Sequence, residues 1–297
     1  MERGKKITVN SISGGKTSAY IAANYPADYN VFALVRTDDK KCLYPDPKLR
    51  QMVSDRIGTE FIGTLEDDII INTIFDLEQY IGTRIDWVSG KSFDDVIKKK
   101  GGYLPNLMQR FCTTEMKLIP LFNWWHQTIG SPVEMRIGFR ANEQRRAKTM
   151  NEKLNSNGLL EIKATVSKHP NGRNKWQVFE WQKPEFPLIK DGIFKDNIEQ
   201  YWTDKAVRFA WMNNCVGCFH KDPLLLRKMW DLHPTKLQWF ADQERKRHKR
   251  DIWLSGTKPD VSINNHLWDY EKIKNWKIQI DLFNDDFNDC DSGYCGL

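Results

Sequence analysis

The chain has no uninterrupted apolar run near the roughly 20 residues that a membrane-spanning helix requires. Its opening, Met1-Glu2-Arg3-Gly4-Lys5-Lys6, passes straight into Ile7-Thr8-Val9 without the longer apolar segment of a secretion signal. A cytoplasmic protein without membrane association is therefore expected. Cysteine is sparse, six in 297 residues. Without a secretion signal, so few are read as thiols, metal ligands or catalysts and not as a disulfide framework. Neither sign of charge is in large excess: a net +6 accommodates an anionic ligand or a nucleic acid and demands neither. No internal repeat or low-complexity block stands out. The 40% hydrophobic and 28% charged residues that are present exclude a disordered or fibrous chain and suffice for one large domain or two small ones.

Strand-like and helix-like segments alternate over the first half. Residues 7–12 are short and β-rich, Ser13-Gly14-Gly15-Lys16-Thr17-Ser18 reads as a turn, and 19–24 opens a helix. Further strands are expected at 31–36, 60–65 and 133–139, and helices at 46–57, 67–80 and 114–127. This alternation predicts an α/β fold, a doubly wound parallel sheet covered on both faces. Residues 151–181 loosen into Asn, Lys and Gly and read as an insertion with a hairpin, 160–166 and 176–181, across His169-Pro170-Asn171-Gly172. Helices follow at 196–202 and 224–250. The organisation expected is a nucleotide-binding domain over 1–220 and a helical region with a cysteine-containing tail over 221–297.

Gly14 and Gly15 between a strand and a helix let successive N–H groups turn inward, beside the partial positive charge of a helix start, so an anion such as a phosphate is the natural guest. Lys16 adds a full charge. The run Gly15-Lys16-Thr17 is not a Walker A loop, which needs a glycine where Asn10 stands. The loop, the strand end Val35-Arg36-Thr37-Asp38, the segment Ile137-Gly138-Phe139-Arg140-Ala141-Asn142-Glu143 and the later Phe186-Pro187-Leu188-Ile189 occur in the order found in one family. Together they resemble the phosphoadenosine phosphosulfate (PAPS) reductase family of the PP-loop (adenine nucleotide alpha-hydrolase-like) superfamily, over roughly residues 7–220. The resemblance implies an adenine nucleotide, ATP or (phospho)adenosine phosphosulfate, at the carboxyl ends of the strands. Ser13, Gly14, Gly15, Lys16, Thr17 and Ser18 would cradle its phosphate or sulfate, with Lys16 also catalytic. Thr37, Asp38, Gly138 and Arg140 would face the nucleotide. Thr17 replaces the family's usual Asp, so a carboxylate that would help hold magnesium is missing.

Cys215-Val216-Gly217-Cys218 has a spacing that lets both sulfurs point at one metal or cluster. Arg110-Phe111-Cys112-Thr113-Thr114 resembles the paired-cysteine segment of the family's cluster-carrying branch, with Thr113 in the second cysteine's place. The resemblance thus implies a [4Fe-4S] cluster on Cys112, Cys215 and Cys218, with Cys290 or Cys295 as a fourth ligand. Zinc is the alternative, since four thiolates serve it equally well. The ending Tyr294-Cys295-Gly296-Leu297 resembles the family's C-terminal nucleophile segment, with Tyr294 for its Glu and no His after Leu297, which makes Cys295 a second catalytic candidate. Arg245, Lys246, Arg247, Lys249 and Arg250, with Trp239, Phe240 and Trp253 nearby, are a candidate nucleic-acid contact; a solvated helix end is the other reading of the same run.

The function expected is sulfonucleotide reduction, with a dithiol protein as electron donor. The alternatives are ATP-dependent adenylylation and thiolation of a nucleic-acid base, and a non-enzymatic nucleotide- or nucleic-acid-binding regulator.

Overall fold

The computed structural model describes residues 6–106, 109–255 and 269–277, with the side chains of 247–255 excepted. The elements run β1 (Thr8–Ile12), α1 (Lys16–Asn24), β2 (Tyr29–Leu34), α2 (Pro47–Ile57), α3 (Ile69–Ile81), β3 (Ile85–Ser89) and α4 (Phe93–Lys99). Then come the single turn α5 (Phe111–Thr113), which continues into a π-helical turn over Thr114–Leu118, α6 (Ile119–Thr128), β4 (Val133–Arg136) and α7 (Gln144–Asn151). The chain continues through β5 (Leu160–Lys168), β6 (Asn174–Glu185), α8 (Pro187–Lys190), α9 (Lys195–Trp202), α10 (Pro223–Leu232), α11 (Pro234–Ser255) and α12 (Tyr270–Lys274). Among the described residues no helix is long and apolar enough to cross a membrane.

The chain forms two compact units interleaved along the sequence. The first comprises 1–33, 71–88 and 119–209, and the second 34–70, 89–118 and 210–297. The first is built on a six-stranded sheet of order β3-β2-β1-β4-β6-β5. β1 is parallel to both β2 and β4, β4 is parallel to β6, and only the edge strand β5 is paired antiparallel among these. The expected α/β class with a mostly parallel sheet is therefore what forms. The central strands are buried runs, as strands covered on both faces must be: Val9, Ile12, Val31, Phe32, Val133 and Met135 all lie in the core. Aromatic edges close the layer, with Trp87 against Phe32 and Phe75, and Trp181 against Phe122 and Trp125 of α6.

Two local expectations are corrected. Residues 60–65 form no strand. Their polar groups are spent on irregular backbone: Thr37 N–H donates to the Gly63 carbonyl (2.9 Å), Tyr44 N–H to Ile62 (2.9 Å), Val216 N–H to Leu65 (2.8 Å), and the Thr64 hydroxyl to Val35 (2.7 Å). Gly63 is what permits the approach, since a Cβ there would stand 1.9 Å from the Cys42 carbonyl oxygen. The expected helix over 224–250 is two helices. Pro234 removes a donor and disfavours helical geometry at His233, whose φ of −134° ends α10. Within 151–181 the expected hairpin forms as β5 and β6, and β6 runs on to Glu185, where Gln182–Glu185 pair with β4.

The second unit is helical around a core in which Phe93, Leu225, Leu226, Met229, Trp230, Leu237, Trp239, Phe240 and Tyr270 pack together. Trp239 and Phe240 are core residues and offer no stacking face, and the side chain of Trp253 lies outside the described residues. α12 is tied to α11 through Glu244, whose carboxylate accepts the Tyr270 N–H (2.9 Å). Glu244 is only 2% exposed.

Burial, with some repulsion from Asp269, pushes the Glu244 carboxyl from an ordinary 4.5 up to about 7. A carboxyl whose pKa is raised in the fold contributes stability that is complete below the unfolded value and is lost as pH rises through the folded one. Denaturant unfolding across pH 4.5 to 8 should thus show stability falling by up to about 3 kcal/mol, and Glu244→Gln should flatten that fall. An identical profile in the variant would contradict the assignment.

Candidate functional site

In the first unit, β1 ends at Ile12 and β4 at Arg136, and the parallel register sets Asn10 beside Arg136. The turn after β1 and the segment after β4 therefore leave the sheet side by side. The strand order reverses here: the chain goes from β1 to β2 and β3 on one side, and β4 with β6 lies on the other. Open α/β sheets hold ligands at the carboxyl ends of strands where the order reverses.

The turn itself is built by short polar side chains and one strained position. Gly14 has φ of +78°, which a side chain would resist. The Ser13 N–H donates to the Ser18 hydroxyl (3.1 Å), which donates to the Gly15 carbonyl (3.1 Å), and the Ser13 and Ser18 hydroxyls lie 3.1 Å apart. Gly15 caps α1 in an extended conformation with no side chain bonded to the first-turn N–H groups. Those donors and the helix dipole favour an anion. Gly138, on the segment after β4, has its own steric reason. A Cβ there would sit 3.2 Å from Thr17 Cγ2 and 3.8 Å from the Ser18 nitrogen. Ser13, Gly14, Gly15, Lys16, Thr17, Ser18 and Gly138 are thereby brought together.

Two residues of α9 complete the place: Glu199, which no sequence motif signals, and Trp202 at the aromatic end of the helix that follows Phe186–Ile189. Glu199 forms an ion pair with the Lys16 ammonium, and the Trp202 indole N–H donates to the Lys16 carbonyl (3.0 Å). Both groups of the ion pair keep about a third of their surface in water, at 33% and 39% exposed, so an incoming anion would compete with Glu199 for the ammonium. Arg140 lies farther along the same segment and is buried. Its Nε donates to Glu143 (3.1 Å), which also accepts the Arg140 N–H (2.9 Å) and the Arg146 guanidinium (2.5 Å), while Arg146 lies over the Phe139 ring at 4.2 Å. Burial alone would raise Glu143, but the Arg140 N–H and the two guanidiniums hold its carboxyl below the ordinary range. Glu143 thus orients Arg140.

Thr37 and Asp38 belong to the second unit. Asp94, at the start of α4, accepts the Thr37 hydroxyl (2.6 Å) and the Asp38 N–H (2.8 Å) with one oxygen and the Trp239 indole N–H (3.0 Å) with the other. The Asp38 carboxylate is left half-exposed, paired with Arg36 (2.7 Å). Asp94 fixes this strand end; no sequence motif singles it out, although Ser92 caps the helix on which it sits.

The second unit also contains the four described cysteines. Cys42 is buried, and burial, helped by Asp39, pushes its thiol up to about 12, which makes it an inert core group. Cys112 and Cys215 pack against the same apolar core, and Cys218 is buried. The Cys215–Cys218 segment is a tight turn, with the Cys218 N–H donating to the Cys215 carbonyl (3.0 Å), and Cys215 bridges Glu66. Lys221, completely buried, turns its ammonium onto the carbonyls of Cys215 (2.7 Å) and Asn213 (3.4 Å). Gly217 lies under Phe240, whose ring would be 2.4 Å from a Cβ there. Among the described residues, no three His, Cys, Asp or Glu side chains form a group able to hold a metal. Cys290 and Cys295 lie outside the described residues. Of the basic run, Arg245 is paired with Glu271 and Asp242 and Lys246 is exposed; the side chains of Arg247, Lys249 and Arg250 lie outside the described residues.

Lys221→Met should remove the ammonium's hydrogen bonds to the Cys215 and Asn213 carbonyls, costing about 1–3 kcal/mol. It should also speed thiol labelling of Cys215 and Cys218, read by mass spectrometry. Unchanged stability and labelling would show that the ammonium does not hold the turn.

Comparison with protein-family models, with curated proteins and with solved structures gives no match in any of the three.

Proposed function

We propose that this chain is a PP-loop enzyme of the PAPS reductase type that binds an adenine nucleotide at the Ser13–Ser18 turn and carries out sulfonucleotide reduction. The observation that supports the reading is the meeting of the β1–α1 glycine turn with Gly138 at the carboxyl ends of two adjacent parallel strands, where the strand order reverses. That is where a doubly wound sheet receives a nucleotide. The first-turn N–H groups of α1 and the Lys16 ammonium take the phosphate or sulfate oxygens, and Lys16 exchanges Glu199 for the anion.

In the reaction proposed, a cysteine thiolate attacks the sulfur of (phospho)adenosine phosphosulfate. The S–O bond to the phosphate breaks, the adenosine phosphate leaves with that oxygen, and the sulfonate stays on the cysteine. A dithiol protein then reduces the S-sulfonate, releasing sulfite and the free thiol while its own two sulfurs are oxidised to a disulfide. Lys16 neutralises charge that builds on the leaving phosphate. Cys295 is the nucleophile proposed.

Thermal unfolding tests the reading. ATP, AMP, adenosine phosphosulfate or its 3'-phosphorylated form should raise the melting temperature by mass action. Lys16→Ala should reduce the shift, and Glu199→Gln, by freeing the ammonium, should enlarge it. Absence of a shift with all four nucleotides would sink the site, and a shift without sulfite release on adding a dithiol would sink the reaction.

A further inference from the structure

We propose that the β5–β6 ribbon is a binding element for single-stranded nucleic acid, with Trp176 as the stacking platform and Lys163, Lys168, Arg173 and Lys175 as phosphate contacts. The inference does not rest on the nucleotide reading.

The ribbon leaves the sheet. β4 begins at Val133, opposite Gln182, so the residues from Asn174 to Trp181 run past the amino end of β4 with only β5 beside them. At about 3.3 Å per residue that projection is roughly 25 Å, directed away from the carboxyl ends that carry the glycine turn. Its root is anchored on one face, where Phe179 meets Phe122 (5.2 Å) and His126 (5.4 Å) of α6. Alternation along β6 sends Trp176 and Val178 to the other face. They are 59% and 60% exposed, the two most exposed large hydrophobic residues described. Across the register, Thr165 stands opposite Trp176 and Lys163 opposite Val178, which completes a small face of one indole, one aliphatic group, one hydroxyl and one ammonium. The Thr165 hydroxyl donates to the Lys175 carbonyl (2.7 Å), holding the two strands together beside the bulge.

From Ile162 to Phe179 the charge on this ribbon has one sign; the acidic Glu161 and Glu180 stand opposite each other at its root. None of the residues from Ile162 to Phe179 is acidic, while Lys163, Lys168, Arg173 and Lys175 are basic and exposed. Lysine on an edge strand is ordinarily explained as protection against edge-to-edge pairing. An exposed tryptophan and valine among those lysines work against such protection and call for another cause. A narrow two-stranded arm with an uncovered indole and cations along its length is complementary to a polyanion that offers flat apolar faces between its charges. An unpaired nucleic-acid strand has that chemistry, because stacking on an aromatic ring is tolerant of sequence and the phosphates lie within reach of flanking Lys and Arg.

The test uses the full chain and fluorescence anisotropy of a labelled oligothymidylate of about 20 nucleotides over a series of salt concentrations. Binding should weaken with salt. The triple variant Lys168→Ala/Arg173→Ala/Lys175→Ala should make the slope of log K against log salt shallower by about 2. Trp176→Ala should weaken binding by about five- to 150-fold, and Trp176→Phe should restore most of it. All of these side chains are exposed, so melting temperatures should stay at the wild-type value. Three results would overturn the proposal: no binding at low salt, affinity unchanged in both ribbon variants, or capture of the ribbon by phosphatidylserine vesicles in preference to the oligonucleotide. A nucleotide-induced thermal shift that persists in the ribbon variants would separate this surface from the glycine turn.

Discussion

The parallel pairing of β1 with β4 is the contact on which the candidate chemistry depends. It aligns Asn10 with Arg136, so the turn after one strand and the segment after the other leave the sheet together. Glycine is then needed twice for different physical reasons. Gly14 supplies a backbone conformation with positive φ that other residues resist, and Gly138 supplies the missing Cβ that lets the β4 exit approach Thr17. A helix start with uncapped N–H groups beside a lysine follows from that arrangement, and an anion is what such a place attracts.

The second unit is organised on another principle, the satisfaction of buried charge. Lys221 is spent on the carbonyls of the Cys215 turn, and Lys236 on the Glu66 carbonyl (2.7 Å) and the Asp68 carboxylate (2.7 Å). Glu66 pairs with Lys117 at 3.2 Å. His233 approaches Asp67 at 3.3 Å; burial would raise Asp67, and the His233 and Ile69 hydrogen bonds more than offset it, lowering that carboxyl. Lone buried charges of this kind would be costly, whereas paired and hydrogen-bonded ones are tolerated and fix the loops they touch. The cysteine turn is therefore held by the protein's own hydrogen bonds.

Much of the first unit was legible in the sequence because several of its strands are short apolar runs with a glycine close by. The turn at Ser13–Ser18 and the hairpin turn at His169–Gly172 were both readable from local chemistry. What escaped was nonlocal. Nothing near residue 16 announces Glu199, and nothing near Thr37 announces Asp94, since each meets its partner only through the fold. Residues 60–65 look like a strand in composition, yet their partners are loops, and periodicity carries no information on what a segment pairs with. β3 (Ile85–Ser89) was missed because it is short and follows a helix closely.

Amide hydrogen exchange measured with and without an adenine nucleotide is the most direct test of the central claim, because it reads the backbone donors that the geometry offers. The account predicts slowed exchange over Gly14 to Ser18 and over Gly138 to Arg140, the two segments that the β1–β4 pairing sets side by side. Protection confined to other segments, with these two unchanged, would contradict it.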